Sequence, residues 1–524
     1  MKWKTLVHNG IAFPPTYEPR GFRIKIKGKE IKLNAQQEEM AFAWAKKKDT
    51  PYVKDPVFAA NFLADFLKLF PAEYRDAKIE DIDFGEINEH IDREKSIVLG
   101  KDEKKKRAVE RKKVREEMKE KYGWAEVDGN RFDIANWVVE PTGIFIGRGN
   151  HPLRGKWKPR VYPKDITLNL GEDVSVPKGD WGEIIHDHNS MWLARWVDKL
   201  TEKEKYVWLS DASTLRQERD KMKYDKAEKL GEQIEKVIDK IHEAMESKDM
   251  KQRMVATTCF LIHKLAMRVG DEKDPDEADT VGASTLRVEH VKLNGRAIEF
   301  DFLGKDSVRW QKSVDLDGRD QVVYRNIQEF IKGKKPTDLI FSDITSRSVN
   351  AFFSSIMKGL TAKVFRTYIA TDVVKKYLAK VDGKIAESSE FVKIYHAKMA
   401  NLQAAIMCNH KRAPPKNFEQ VLEKKKAMLD KIGSSEAKTE KQAVKAKERE
   451  EKVKLQLELA INTKDYNLGT SLRNYIDPRI YKSWADHVNL DWTKIYTSTL
   501  QRKFMWVGKS APSWRKIVLV KKTR

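Results

Sequence analysis

Apolar positions change their period several times along the 524-residue chain, and each change predicts a different element. Between 22 and 29, apolar and basic residues alternate at period two, which predicts a strand closed by a Gly28-Lys29 turn. Asn34, with Gln37 three residues on and an Ala/Phe/Trp pattern behind it, predicts a capped helix start. Residues 101–121 hold eleven Lys/Arg and six Asp/Glu with few apolar positions, and read as a long solvated helix. Runs at 192–196 and 206–209 alternate again, predicting strands in an aromatic-rich unit over 124–209. From 216 to 270 the period is helical, with Leu230, Ile234, Val237, Ile241 and Met245 at three- and four-residue steps. A β-hairpin follows, its arms at 297–303 and 308–310 flanking Gly304-Lys305-Asp306-Ser307, and 346–410 returns to helix. Residues 416–463 carry twelve basic and nine acidic residues with Phe418 as the only aromatic, and break at Gly433-Ser434-Ser435. Two antiparallel helices standing off the body fit that segment, and 464–524 is again aromatic and compact.

Charge adds a partner class. The chain has 102 Lys+Arg against 79 Asp+Glu, a net +23 that calls for an anionic partner, nucleic acid or an acidic membrane surface. Aromatics at 10%, including 14 Trp, argue against a disordered polyelectrolyte. Cys259 and Cys408 are too few for a disulfide framework or a four-cysteine metal site, so a reducing interior is expected. The opening residues hold no apolar stretch of signal-peptide length, and no run approaches the roughly 20 apolar residues of a membrane span. The expectation is an intracellular, soluble protein.

Metal and nucleotide chemistry find little support. His186 and His188 at i, i+2 read as a polar loop, and Cys259 with His263 at i, i+4 lie inside an apolar run, which favours packing. Gly304-Lys305-Asp306-Ser307 lacks the glycine spacing of a Walker loop. Five dispersed residues remain: Arg268 at the end of an apolar helix, Lys305 at a hairpin tip, Arg366 in a semi-apolar helical stretch, His410 before Pro414-Pro415, and Tyr475 between Asn474 and Ile476. Singly, each has a structural explanation as a cap, a solvated turn, an ion pair or a core tyrosine. As a set, two guanidiniums and an imidazole suit a pentacoordinate phosphorus, a tyrosine can hold a broken phosphodiester covalently, and a lysine can protonate the departing alkoxide. That scheme requires neither metal nor cofactor.

The chain resembles the eukaryotic-type (type IB) DNA topoisomerases, of the tyrosine recombinase/topoisomerase superfamily, over nearly its whole length. The ordered blocks are GIAFPPTYEP at 10–19, GRGNHP at 147–152, LAMR at 265–268, DTVG at 279–282, LRVEH at 286–290, FDFLGKDS at 300–307, GLTAKVFRTY at 359–368, CNHKRAPP at 408–415 and LRNYIDPR at 472–479. The resemblance implies a multidomain α+β protein that closes as a clamp around double-stranded DNA. Its parts would be a mixed α/β cap at 1–210, a mainly helical catalytic core with a small sheet at 211–415, a helical-hairpin linker at 416–463 and a small helical C-terminal domain at 464–524. It also implies ATP-independent relaxation of both supercoil signs through a 3′-phosphotyrosine on Tyr475. Arg268, Arg366 and His410 would hold the phosphate and Lys305 would act as general acid. Arg148, Asn150, Lys156, Lys158, Arg160, Asp306, Lys363 and Asn474 would meet DNA, with Arg148, Asp306 and Asn474 also lining a camptothecin-type inhibitor pocket. A monomer is implied, nucleoid-associated if archaeal and nuclear if eukaryotic.

Departures from the family pattern touch DNA affinity and drug response. The family's long basic N-terminal tail is expected to be absent, the linker is short, Asp271 replaces the usual Asn beside the first arginine (with Lys273 as an expected partner), and Ile146 and Ile369 replace polar residues. A tyrosine recombinase or integrase is the alternative. Such enzymes generally place histidine three residues before the second arginine, where this chain has Lys363.

Overall fold

The computed structural model describes residues 2–271, 279–415, 417–434 and 439–509. The described residues up to Arg216 form one compact unit, and the bulk of those from Gln217 onward form a second.

The first unit has two cores. One is built by helices α1 (Ala35–Ala45), α2 (Pro56–Leu67) and α3 (Gly85–Ser96) against a small antiparallel sheet of Arg23–Ile26, Lys29–Lys32 and Ile82–Asp83. Trp44, Phe58, Phe62 and Phe66 stack through it. The capping box of Asn34 with Gln37 is formed. The hairpin turn falls one residue earlier than the Gly28-Lys29 reading: Lys27 and Gly28 both take positive φ, the two-residue turn that matches strand twist, and Lys29 already pairs with Ile26. The second core lies between the Leu6–His8, Trp124–Val127, Asn130–Asp133 sheet and a four-stranded sheet that includes Trp192–Val197 and Glu204–Trp208. The charged run forms α4 (Lys101–Tyr122) without a single buried side chain.

In the second unit, α5 (Thr214–Glu232), α6 (Ile234–Met245) and α7 (Met250–Leu265) precede the sheet of Val291–Asn294, Ala297–Gly304 and Val308–Asp315. The helices α8 (Gln321–Phe330), α9 (Ser346–Ile356), α10 (Ala362–Ile385) and α11 (Glu390–Met407) follow. One core joins α6–α9 to the sheet, where the alternating arm Ala297–Gly304 buries Ile298, Phe300 and Phe302. The other joins α10 and α11 to α14 (Leu468–Asn474), α15 (Pro478–His487) and α16 (Ser498–Lys503). Tyr481 and Trp484 are fully enclosed there, so the segment after the charged hairpin completes a core begun before it. The hairpin itself is α12 (Phe418–Gly433) and α13 (Glu440–Thr463). It does not stand wholly clear, because α13 contacts α11, where Tyr395 donates to Glu458 at 2.7 Å.

Past α7 the chain is fixed by backbone pairing. Ala283 N–H donates to Arg268 C=O and Ser284 N–H to Val269 C=O, both at 2.8 Å. Val281 N–H donates to Leu303 C=O, also at 2.8 Å, which ties this segment to the hairpin arm. Gly270 and Gly282 make the approach close: a Cβ on Gly282 would sit 2.5 Å from the Gly270 backbone. Gly282→Ala should therefore cost about 1–3 kcal/mol of stability, read as a lowered urea midpoint with an unchanged m-value.

Candidate active site

Five elements deliver the five chemistry-bearing side chains, one each. Arg268 follows α7, which closes on Ala266 in a left-handed conformation. Lys305 opens the short turn between the hairpin arms, where Asp306 and Ser307 are also left-handed. Arg366 lies in the second turn of α10, after the Thr361 cap. His410 follows α11 through left-handed Asn409, and Tyr475 is the terminal cap of α14. Non-glycine residues with positive φ therefore flank three of the five positions, backbone strain of the kind that collects at functional sites.

Arg268, Arg366 and His410 meet around Tyr475. Arg366 donates to it at 3.3 Å, with its guanidinium 4.8 Å from the ring centroid. The His410 ring lies 5.1 Å from that of Tyr475. A shallow cleft is lined by Arg268, Lys305 and Arg366 together with Gly282, Gly304, Cys408 and Asn409. Burial lowers the Arg268 pKa, and Arg366 beside it pushes the same way, while the Tyr475 oxygen acts in opposition. Burial also takes His410 down to about 3, with Arg366 and Arg268 adding to the shift, so its imidazole is neutral. Both His410 ring nitrogens and Arg366 Nε are buried without a hydrogen-bond partner among the described residues. Buried polar atoms left in that state are costly, and these three belong to the two side chains packed against the Tyr475 ring, an arrangement that suits an oxyanion.

Several supports were invisible to motif reading. Thr371, one turn along α10 from Arg366, donates to Tyr475 C=O at 3.3 Å and accepts from Asp477 N–H at 3.1 Å. Lys223 donates to Asn474 C=O at 3.1 Å, and Ser471 donates to Asn401 at 2.6 Å. Arg479 is chelated by Asp477 and paired with Asp225 at 2.7 Å. Asp477 and Arg479 lie within the LRNYIDPR block, whereas Thr371, Lys223, Ser471 and Asn401 are ordinary polar residues on helices with no local sequence signal. Asp271 is held by Ser346, whose N–H it accepts at 3.0 Å at the start of α9, while Lys273 lies outside the described residues.

The residues expected to meet DNA fall into two groups. In the second unit Lys363 and Asp306 are exposed, and Asn474 is half-buried beside the tyrosine. In the first unit the 147–152 loop leaves Arg148 and Asn150 at the surface, while Asn61 on α2 donates to Pro152 C=O and Arg154 C=O, both at 2.8 Å. Lys156 pairs with Asp65 at 3.2 Å, Lys158 with Glu140 and with Asp198 at 2.9 Å, and Arg160 with Glu39 at 2.9 Å. Those three cations brace the fold of their own unit. Among the described residues no helix is long and apolar enough to cross a membrane, and none of the His, Cys, Asp and Glu residues gather in threes as a metal site would need.

Two arginines and a histidine thus lie against one tyrosine, and Lys305 lines the cleft that the arginines share. Residues 1–209 match the model of the eukaryotic DNA topoisomerase I DNA-binding fragment, 212–443 that of the eukaryotic DNA topoisomerase I catalytic core, and 447–516 that of the C-terminal topoisomerase domain. DNA topoisomerase 1 of Homo sapiens is 35% identical over 549 residues, covering 97% of this chain and 71% of that protein. DNA topoisomerase 1 alpha of Arabidopsis thaliana is 38% identical over 551 residues, covering 98% of this chain. The chain spans 59% of the length of that plant relative. It belongs to the eukaryotic DNA topoisomerase I family.

The buried imidazole has a measurable consequence. His410 is depressed from 6.5 to about 3, so its contribution is complete above the unfolded value and is lost as pH falls from 6.5 toward 3. Between pH 7.5 and 5, the unmutated protein should lose about 1–2 kcal/mol more stability than His410→Gln, measured by denaturant titration at both pH values.

Proposed function

We propose that this protein relaxes supercoiled duplex DNA by cutting one strand, allowing rotation and resealing it. The observation that carries this reading is the convergence of Arg268, Arg366 and unpartnered His410 on the Tyr475 hydroxyl. Tyr475 Oη attacks a backbone phosphorus, forming a P–O bond as the bond to the 5′ oxygen breaks. The phenolic proton passes to solvent, and Lys305 supplies a proton to the departing 5′ oxygen. The guanidiniums and the imidazole N–H stabilise charge on the phosphorane oxygens. Resealing runs the same steps backwards, with the covalent bond conserving the energy of the broken one, so ATP has no role. Double-stranded DNA is the partner, with Arg148, Asn150, Lys363, Asp306 and Asn474 flanking the cut strand, and binding falls steeply with salt. The protein acts as a monomer in a DNA-containing compartment, and a camptothecin-type inhibitor stacks at the cut beside Asp306 and Asn474.

Plasmid relaxation in EDTA without ATP should proceed, and Tyr475→Phe should abolish both relaxation and the covalent protein–DNA adduct seen on denaturing gels. Relaxation that survives Tyr475→Phe overturns this reading. Lys305→Ala should slow single-turnover cleavage about 10²–10⁴-fold with DNA affinity unchanged, measured on a short duplex. A matching loss of affinity would reassign Lys305 to phosphate binding.

A further inference from the structure

Lys312 projects from the Val308–Asp315 arm, seven residues along the hairpin from Lys305, and is half-buried. Its ammonium lies 5.4 Å from the Trp310 ring centroid. It donates to Met407 C=O at 2.8 Å and reaches Leu265 C=O at 3.5 Å. These are the last residues of α11 and α7, whose terminal carbonyls have no partner within their own helices and carry the negative ends of the helix dipoles. A single cation thus sits across two helix ends. Immediately beyond those ends come left-handed Ala266, leading to Arg268, and Cys408 with left-handed Asn409, leading to His410. Cys408 C=O in turn accepts from Arg366 at 3.0 Å, and Asn409 donates back to Arg309 C=O on the arm that bears Lys312 at 3.2 Å.

Resting on the reading proposed above, we infer that Lys312 is a positioning residue. Its ammonium joins the C-termini of α7 and α11 to the hairpin, and so holds Arg268, Arg366 and His410 in register with Lys305 around Tyr475. Burial brings its pKa down to about 8, with Cys408 opposing the shift and Arg366 and Lys411 reinforcing it. Burying this ammonium is costly, and its two carbonyl partners offset part of that cost. An uncharged side chain there would leave both terminal carbonyls unmatched and the three phosphate-binding groups free to drift. Misplacement by about 1 Å is enough to cost on the order of 10²-fold in rate.

The test uses the full chain, with thermal melting to establish folding, a short duplex for the dissociation constant, and single-turnover formation of the Tyr475 adduct. Lys312→Met should cleave about 10–100-fold more slowly with its Kd for DNA unchanged. Because Lys312 acts partly through Cys408 and Arg366, the double variant Lys312→Met/Arg366→Lys should lose little more than Arg366→Lys alone. Should Lys312→Met fail to fold, Lys312→Gln serves instead, being uncharged and too short to reach both carbonyls. Cleavage at the unmutated rate by either folded variant overturns the inference, as does a loss confined to Kd, or full additivity with Arg366→Lys. Failure of the unmutated protein to form the Tyr475 adduct would sink the functional reading itself. Adduct formation with an unimpaired Lys312 variant would sink only this inference.

Discussion

Everything at the site depends on one buried guanidinium. Arg366 reaches from α10 to the carbonyl of Cys408 with one nitrogen and to the hydroxyl of Tyr475 with another. It thereby ties together three stretches of chain that are far apart in sequence. The interaction is expensive, since it removes a charge from water and sets it beside Arg268 and His410. The surrounding structure supplies the compensation through covalent continuity with α10, the threonine contact to the Tyr475 carbonyl and the core shared by α10, α11 and α15. A cluster of cations held this firmly is poised for an oxyanion, because little reorganisation remains when the charge develops.

The elements were readable where local chemistry decides them. Asn34 and Gln37 announced a helix start because the capping box is a property of four residues. The hairpin over 297–315 announced itself by alternation, although its second arm runs on to Asp315, beyond the apolar residues that signal it, because the full ladder pairs through Ala297 with Asp315. The Lys27-Gly28 turn was misplaced by one residue because Lys at positive φ has no propensity signal, and only pairing with Ile26 fixes the register.

The site divides in the same way. The five candidate side chains could be gathered from ordered motifs, but the residues packed around them could not. Thr371, Lys223, Asn401 and Lys312 are common polar residues whose roles exist only after helices from opposite ends of the sequence have packed. The basic residues of 156–160, which the resemblance assigns to DNA contact, are paired with Asp65, Glu140, Asp198 and Glu39 inside their own unit. Net charge counts cations without saying which carboxylates stand beside them.

The charged hairpin leaves and re-enters the body at nearly one point. His410 C=O accepts from Asn467 N–H at 2.7 Å, Arg412 N–H donates to Asp465 C=O at 2.8 Å, and Lys411 bridges Tyr466. Its two ends are therefore stitched together independently of what lies between them. Lengthening such an excursion adds closure entropy only logarithmically, so the intervening chain is free to grow, shrink or change composition over evolutionary time without moving the tyrosine that follows it. Two polypeptides divided in this stretch would meet the same stitching when they reassemble.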